Sequence, residues 1–259
     1  MNTVTDFIHL LWNTILFRPY VFIFLGFYIL SASLFFGVKR TLAFIPLGYS
    51  VAWVSEWCST HYGIPYGFYR YIPDTIHKEL WVGGVPFMDS LSYVFLSYAA
   101  YGTTFFLFLR YKLPIESFSS WRFTFLGAFL LIVLDIIIDP VALRGDEWFL
   151  GKIYEYPSGG IYFGVPLSNF GGWFLVGIVL MRFLQWFGKP RLAFPPRNSG
   201  LFLAVGLYIA VLIFNLSVTA YIGAWQLLAA DMVVLSLSFL ICRKVLLYWS
   251  SHTAIRDLS

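Results

Sequence analysis

Apolar residues in this chain recur in blocks about as long as a bilayer is thick. They run at about 20–37, 41–60, 87–109, 121–139, 170–187, 200–217 and 222–242. A helix rises about 1.5 Å per residue, so roughly 20 apolar residues cross the hydrocarbon core. Only 12% of the residues are charged, against about a quarter in a soluble domain, and the mean hydropathy is +0.77. The expectation is one all-α integral membrane domain over residues 1–259, polytopic, with about seven transmembrane helices. A shorter apolar stretch, 7–17, ends at Arg18-Pro19 and is expected to lie at the membrane surface. The start, MNTVTDFIHLLWN, carries Asp6 and no basic leader, unlike a signal peptide. No internal repeat breaks the chain into units.

Seven spans place alternate loops on opposite sides. One side then holds 12 of the 17 basic residues: Lys39, Arg40, Arg110, Lys112, Arg122, Arg182, Lys189, Arg191, Arg197, Arg243, Lys244 and Arg256. The other holds Arg18, Arg70, Lys78, Arg144 and Lys152. The richer side is expected to be cytoplasmic. That puts the N-terminus outside and the C-terminus inside a bacterial-type inner (cytoplasmic) membrane. The net charge of +4 reflects this bias, so nucleic acid is not implied. Cys58 and Cys242 fall near opposite faces, so no disulfide is expected within the chain.

The stretch from Val133 to Trp173 concentrates the unusual chemistry. Asp135 and Asp139 stand at i and i+4 in an otherwise apolar run, LLIVLDIIIDP, and so share one helix face. Carboxylates in a lipid span are costly unless they face a protein interior and have a task. The same alternation sends other polar residues to the same leaflet. Glu56 ends the second span, Asp89 begins the third, Asn169 begins the fifth, Asn215 ends the sixth and Gln226 opens the seventh. The loops 61–85 and 140–169 share that side. They are rich in Tyr, Gly, Pro and Trp, unlike a disordered loop, and are expected to cap a cavity mouth.

Structural roles compete for these residues. Glu56 has Arg70 or His61 as possible ion partners. Asp89 stands where a helix N-cap would, and Asp139 where a turn before Pro140 would close. Asn169, opening the fifth span, also reads as an N-cap. Asp231, deep in the seventh span, is expected to have a buried partner. Asp135 is the hardest to assign a structural role. Most of the aromatic content, 21%, is explained by lipid-facing Phe and interfacial Trp and Tyr.

Several chemistries are excluded. The four histidines form no cluster suited to a di-iron site. No CxxC pair offers a zinc site, and no dinucleotide or P-loop motif is present. The seventh span has no lysine for a retinal Schiff base. Carboxylate chemistry in an apolar, aromatic pocket remains, with neither metal nor cofactor expected.

At these residues the sequence is similar to a known family. Glu56, GIPYGFYRY (63–71), GVP (84–86), Asp139-Pro140 and GxxYFGVPxxNFxGW (159–173) resemble the membrane carotenoid-biosynthesis family. That family includes bisanhydrobacterioruberin hydratase and the γ-carotene 1′-hydratases. The likeness runs from about residue 50 to 187. It implies a hydro-lyase that adds water across the terminal C1–C2 double bond of an acyclic carotenoid or related isoprenoid lipid. One departure stands out. The carotenoid enzymes carry a Pro and a Trp after the VP, whereas this chain reads VPFMDSLSY, with Asp89 and Tyr93. The resemblance implies the fold and leaves the substrate open.

The residues suit such a reaction. Carbon is a weak base, so protonating an alkene needs a carboxylic acid kept protonated by apolar burial or by a neighbouring carboxylate. The expected donor is Asp139 or Asp135, with Glu56 as partner and Asp89 as a further candidate. Tyr66, Tyr69, Tyr71, Tyr162, Phe163 and Trp173 are expected to bind the substrate. The aromatic faces of the four tyrosines and Phe163 would stabilise a tertiary cation by about 1–2 kcal/mol each. Asn169, or a second carboxylate, would hold the attacking water. Two other functions fit the same residues: a polyene isomerase or cyclase, and a proton-coupled transporter of a lipid or small molecule.

Overall fold

The computed structural model describes residues 3–188 and 198–256. Lys189, Arg191 and Arg197, part of the basic side inferred above, lie outside the described residues. Eight α-helices form the described chain: α1 Thr3–Phe17, α2 Pro19–Phe35, α3 Val38–Tyr62, α4 Phe87–Arg110, α5 Trp121–Ala142, α6 Leu167–Gly188, α7 Asn198–Tyr221 and α8 Trp225–Arg256. Four two-residue strands lie in the connections: β1 Arg70–Tyr71, β2 Trp81–Val82, β3 Val85–Pro86 and β4 Tyr154–Glu155. The fold is an all-α polytopic membrane bundle.

Five helices, α4 to α8, are long and apolar enough to cross a membrane. The pair α1 and α2 adds a sixth if it counts as one span, although it bends by 91° between them. Proline at the first position of α2 gives up its N–H and starts a new helix direction there. The expected second span, about 41–60, falls in α3, whose 25 residues are long enough. Its second half carries Ser50, Ser55, Glu56, Ser59, Thr60 and His61, which make it too polar to qualify on composition.

Local chemistry sets several boundaries. Gly63 closes α3 in the left-handed region at φ +73°, its N–H returning to the Ser59 carbonyl at 2.9 Å. Ser120 caps α5 by accepting from the Phe123 N–H at 3.4 Å. The α5 helix does not stop at Asp139 as expected. It continues through Pro140 to Ala142, so Asp139 closes no turn.

The two long connections are tied together rather than loose. Strands β1 and β4 pair antiparallel, Arg70 opposite Glu155 and Tyr71 opposite Tyr154. Strands β2 and β3 form a hairpin whose turn, Gly83-Gly84, takes positive φ at both positions. Behind them sits a buried ion pair. Arg18, at the corner between α1 and α2, donates from Nε and Nη2 to the two carboxylate oxygens of Glu79 at 2.9 and 2.8 Å. Its Nη1 donates to the Leu150 carbonyl at 2.5 Å. The Leu80 N–H donates to Thr14 Oγ1 at 2.7 Å. One arginine thus joins the helix corner to both capping connections.

Within the bundle α5 packs chiefly on α6, and α7 on α2 and α4. The core is strongly aromatic, with Tyr28, Phe36, Phe44, Tyr98, Phe108 and Phe123 fully buried. Gly172 lets the segment after α3 seat against α6. A β-carbon there would lie 2.7 Å from the Pro65 carbonyl oxygen and 2.5 Å from the Tyr66 ring.

Candidate functional site

Four helices present polar side chains to one point at the capped end of the bundle. Glu56 comes from the last turns of α3, and Asp89 and Tyr93 from the first turns of α4. Asp135 and Asp139 come from the last turns of α5, and Asn169 and Trp173 from the first turns of α6. The last three pairs are spaced i, i+4, so each pair shares one helix face. All four carboxylates converge with the amide, as the alternation of spans predicts.

The cap supplies the other wall. Residues alternate sides along a strand. The runs YRY (69–71) and YEY (154–156) therefore point both tyrosines inward and the central charge outward. Outside, Arg70 pairs with Glu155 at 2.5 Å, and Lys152 reaches the other Glu155 oxygen at 2.6 Å. Hydrogen bonds from Lys152 and Arg70 hold the Glu155 carboxyl below the usual carboxylate range. Inside, Tyr69, Tyr71, Tyr154 and Tyr156 form a cluster with ring centroids 5.3–6.4 Å apart. Burial, and then the nearby carboxylates, push the phenols of Tyr71, Tyr154 and Tyr156 well above their ordinary range, so they remain O–H donors.

The hydrogen bonds divide the carboxylates into two groups. Tyr93 donates to Glu56 Oε1. Tyr71 lies against Glu56 Oε2 at 3.1 Å and also against Asp89 Oδ2. Separately, the Asn169 Nδ2 donates to Asp135 Oδ2 at 2.9 Å and to Asp139 Oδ2 at 2.7 Å. Tyr154 donates to Asp139 Oδ1 at 2.9 Å. Both Asp139 oxygens accept, the arrangement a carboxylate prefers.

Two cavities meet here. A polar chamber is lined by Glu56, Tyr66, Tyr69, Tyr71, Asp89, Tyr93, Asp139, Tyr154, Tyr156, Asn169 and Trp173. An apolar cavity lies between α2, α4, α5 and α7, walled by residues such as Phe24, Met88, Phe95, Leu96, Val211 and Phe214. Asp89, Asp139, Tyr154 and Trp173 line both. Trp173 stacks on Tyr93 at 4.2 Å and 9°, giving the junction a flat aromatic wall. Glu56 faces the chamber alone, and Asp135 lines neither cavity.

Several expectations are corrected. Tyr162 and Phe163 are not in the site. Their backbone forms a tight turn, Tyr162 paired with Val165, with Phe163 and Gly164 at φ +50° and +96°. Phe163 packs toward Val141, Val218 and Leu227. Asn169 is not an N-cap, because α6 begins two residues earlier and its amide is spent on the aspartates. Asp89 caps no helix either; α4 begins at Phe87. Glu56 pairs with neither Arg70 nor His61, which bond Glu155 and the Trp57 carbonyl instead. Gln226 is exposed and stands apart. Asp231 is buried, but neither of its oxygens has a hydrogen-bond partner among the described residues. Sequence reasoning missed Tyr154 and Tyr156, although the matching YRY and YEY runs with opposite central charges carry the signal.

The sequence profile of the carotenoid biosynthesis protein family matches residues 17–238, which include every residue of this site. The chain belongs to that family. No curated protein and no solved structure matches the chain. Membership gives it a role in carotenoid biosynthesis, and the apolar cavity suits a member that handles a lipid.

Proposed function

We propose that the protein is a cofactor-independent hydro-lyase that adds water to a terminal C=C bond of an acyclic carotenoid or related isoprenoid. The observation that carries this reading is the junction of the two cavities. A polyene end lying in the apolar cavity would meet Asp89 and Asp139 at once, with room for water in the chamber behind them.

The hydrogen bonds favour a division of labour different from the one the sequence suggests. Asp139, whose two oxygens accept from Tyr154 and Asn169, suits a carboxylate that binds and deprotonates water. Asp89, bonded through Tyr71 to a second carboxyl, suits the acid. Asp89 gives its proton to C2, leaving a tertiary cation at C1. Water adds to C1 as its proton passes to Asp139. Trp173 and Tyr93 stand beside the cation, and a desolvated cation–π contact contributes roughly 2 kcal/mol. Asp135 acts through Asn169, by fixing the amide that aims Asp139.

In this reading the capped end lies on the outer face of a cytoplasmic membrane with the C-terminus inside, an orientation that the charge bias supports. The test is a pair of isosteric variants. Asp89→Asn and Asp139→Asn should each lower alcohol formation at least about 10²-fold, the scale for losing a general acid or base. Near-parental product from both would overturn the assignment.

A further inference from the structure

We infer that Tyr71 is a positioning residue that carries protons from Glu56 to Asp89, so that Glu56 reloads an acid it cannot itself deliver. The inference rests on the hydratase reading of this site and adds a route for its proton.

The first argument is a count of hydrogens. A phenol has one. The Tyr71 oxygen nevertheless lies in hydrogen-bonding range of both Glu56 Oε2 and Asp89 Oδ2. Tyr71 can donate to only one of them. Both contacts are hydrogen bonds only when the other carboxyl brings a proton of its own and donates to the phenol oxygen. The trio therefore holds one acid proton between two carboxyls, with a phenol in the middle. The remaining Glu56 oxygen already accepts from Tyr93, so a proton that reaches Glu56 sits on the oxygen facing Tyr71, and between turnovers the shared proton rests on Asp89.

The second argument is access. Asp89 lines the apolar cavity and Glu56 does not. The hydrogen-bonded route from Glu56 to that cavity runs through Tyr71 to Asp89. The third is the mounting of Tyr71. It stands opposite Tyr154 in the β1–β4 pair, and its neighbour Arg70 is bonded to Glu155 on the outer side. The register of two residues thus fixes the hydroxyl between the carboxyls.

The transfer balances. Glu56 gives its proton to the Tyr71 oxygen as Tyr71 gives its own to the Asp89 carboxylate. Glu56 ends one proton poorer, Asp89 one richer, and the phenol unchanged after its O–H turns. The proton that Asp139 takes from water returns through the chamber to Glu56, so a cycle consumes none.

Tyr71→Phe in the full-length protein, reconstituted in lipid nanodiscs with an acyclic carotenoid, tests this. The first turnover should stay within about threefold of the parent, because Asp89 starts loaded. Later turnovers should slow about tenfold or more, with a larger solvent isotope effect in D2O. Tyr49→Phe, which removes a phenol that lines neither cavity and bonds neither carboxyl, should leave both phases within about twofold. Equal slowing of first and later turnovers would reduce Tyr71 to a structural residue, and no slowing would remove it from the route. A chemistry-free readout separates this inference from the hydratase reading. The infrared carbonyl band of a protonated acid should be lost in a Glu56→Gln/Asp89→Asn double variant and should shift in Tyr71→Phe. A parent that shows this band but makes no alcohol contradicts the hydratase reading alone. A parent without it contradicts the shared proton.

Discussion

Asn169→Ser isolates the part of the site that aims the water. The amide nitrogen of Asn169 donates both hydrogens, to Asp139 at 2.7 Å and to Asp135 at 2.9 Å. Serine offers one hydrogen on a shorter arm and keeps at most one of these bonds. A hydrogen bond to a charged group contributes about 1.5–3 kcal/mol. If the bond to Asp139 is lost, the transition state loses about that much, or roughly 10- to 150-fold in kcat/KM at about 1.4 kcal/mol per tenfold. Helix capping does not enter, because α6 starts at Leu167, two residues before Asn169, whose amide is spent on the aspartates. Serine also keeps the position polar, so the yield of folded protein should stay near parental. The assay is chromatographic product analysis in nanodiscs, with yield and thermal midpoint measured alongside. Less alcohol with some isomerised alkene is the expected outcome, since a cation without placed water loses a proton instead. Full hydration by the serine variant would refute the role. So would an activity loss that merely tracks the loss of folded protein.

Four further outcomes concern the cap and its attachment. Glu79→Gln leaves the buried Arg18 guanidinium without a counter-charge and should destabilise the protein by about 3–5 kcal/mol, read as a lower thermal midpoint. Arg18→Met added to Glu79→Leu should recover part of that loss, because an apolar pair leaves no stranded charge. Gly172→Ala should displace the 63–67 segment and lower both activity and midpoint, since its β-carbon meets the Pro65 carbonyl. Cysteines placed at the exposed Lys78 and Lys152, with Cys58 and Cys242 replaced, should react with an impermeant thiol reagent in intact cells. Reaction only after permeabilisation would reverse the proposed orientation.

What the sequence reveals here depends on the range of each signal. The apolar blocks locate α2 to α8, because bilayer thickness acts on composition alone. The i, i+4 spacing of Asp135 and Asp139 and the parity of the spans bring Glu56, Asp89 and Asn169 to the same end. Other features depend on partners far along the chain. Nothing in the neighbourhood of Arg18 announces Glu79 or the Leu150 carbonyl as its partners. Tyr162 and Phe163 belong to the most recognisable motif, yet they shape the turn that launches α6 rather than the cavity. Tyr154 escapes because YEY reads as loop until its partner YRY is known. Pro140 suggests a helix end, but packing carries α5 one turn further. The division between Asp89 and Asp139 is invisible in sequence, since it rests on which oxygens accept which hydrogens.

The central claim is that this site protonates an alkene carbon and delivers water to its neighbour. Purified protein in nanodiscs, given an acyclic carotenoid in ¹⁸O-labelled D2O, tests it directly by mass spectrometry. The account predicts an alcohol with one ¹⁸O on C1 and one deuterium on C2, both absent from the Asp89→Asn and Asp139→Asn products. Deuterium without ¹⁸O, in an isomerised or cyclised polyene, would contradict it, and so would unchanged substrate.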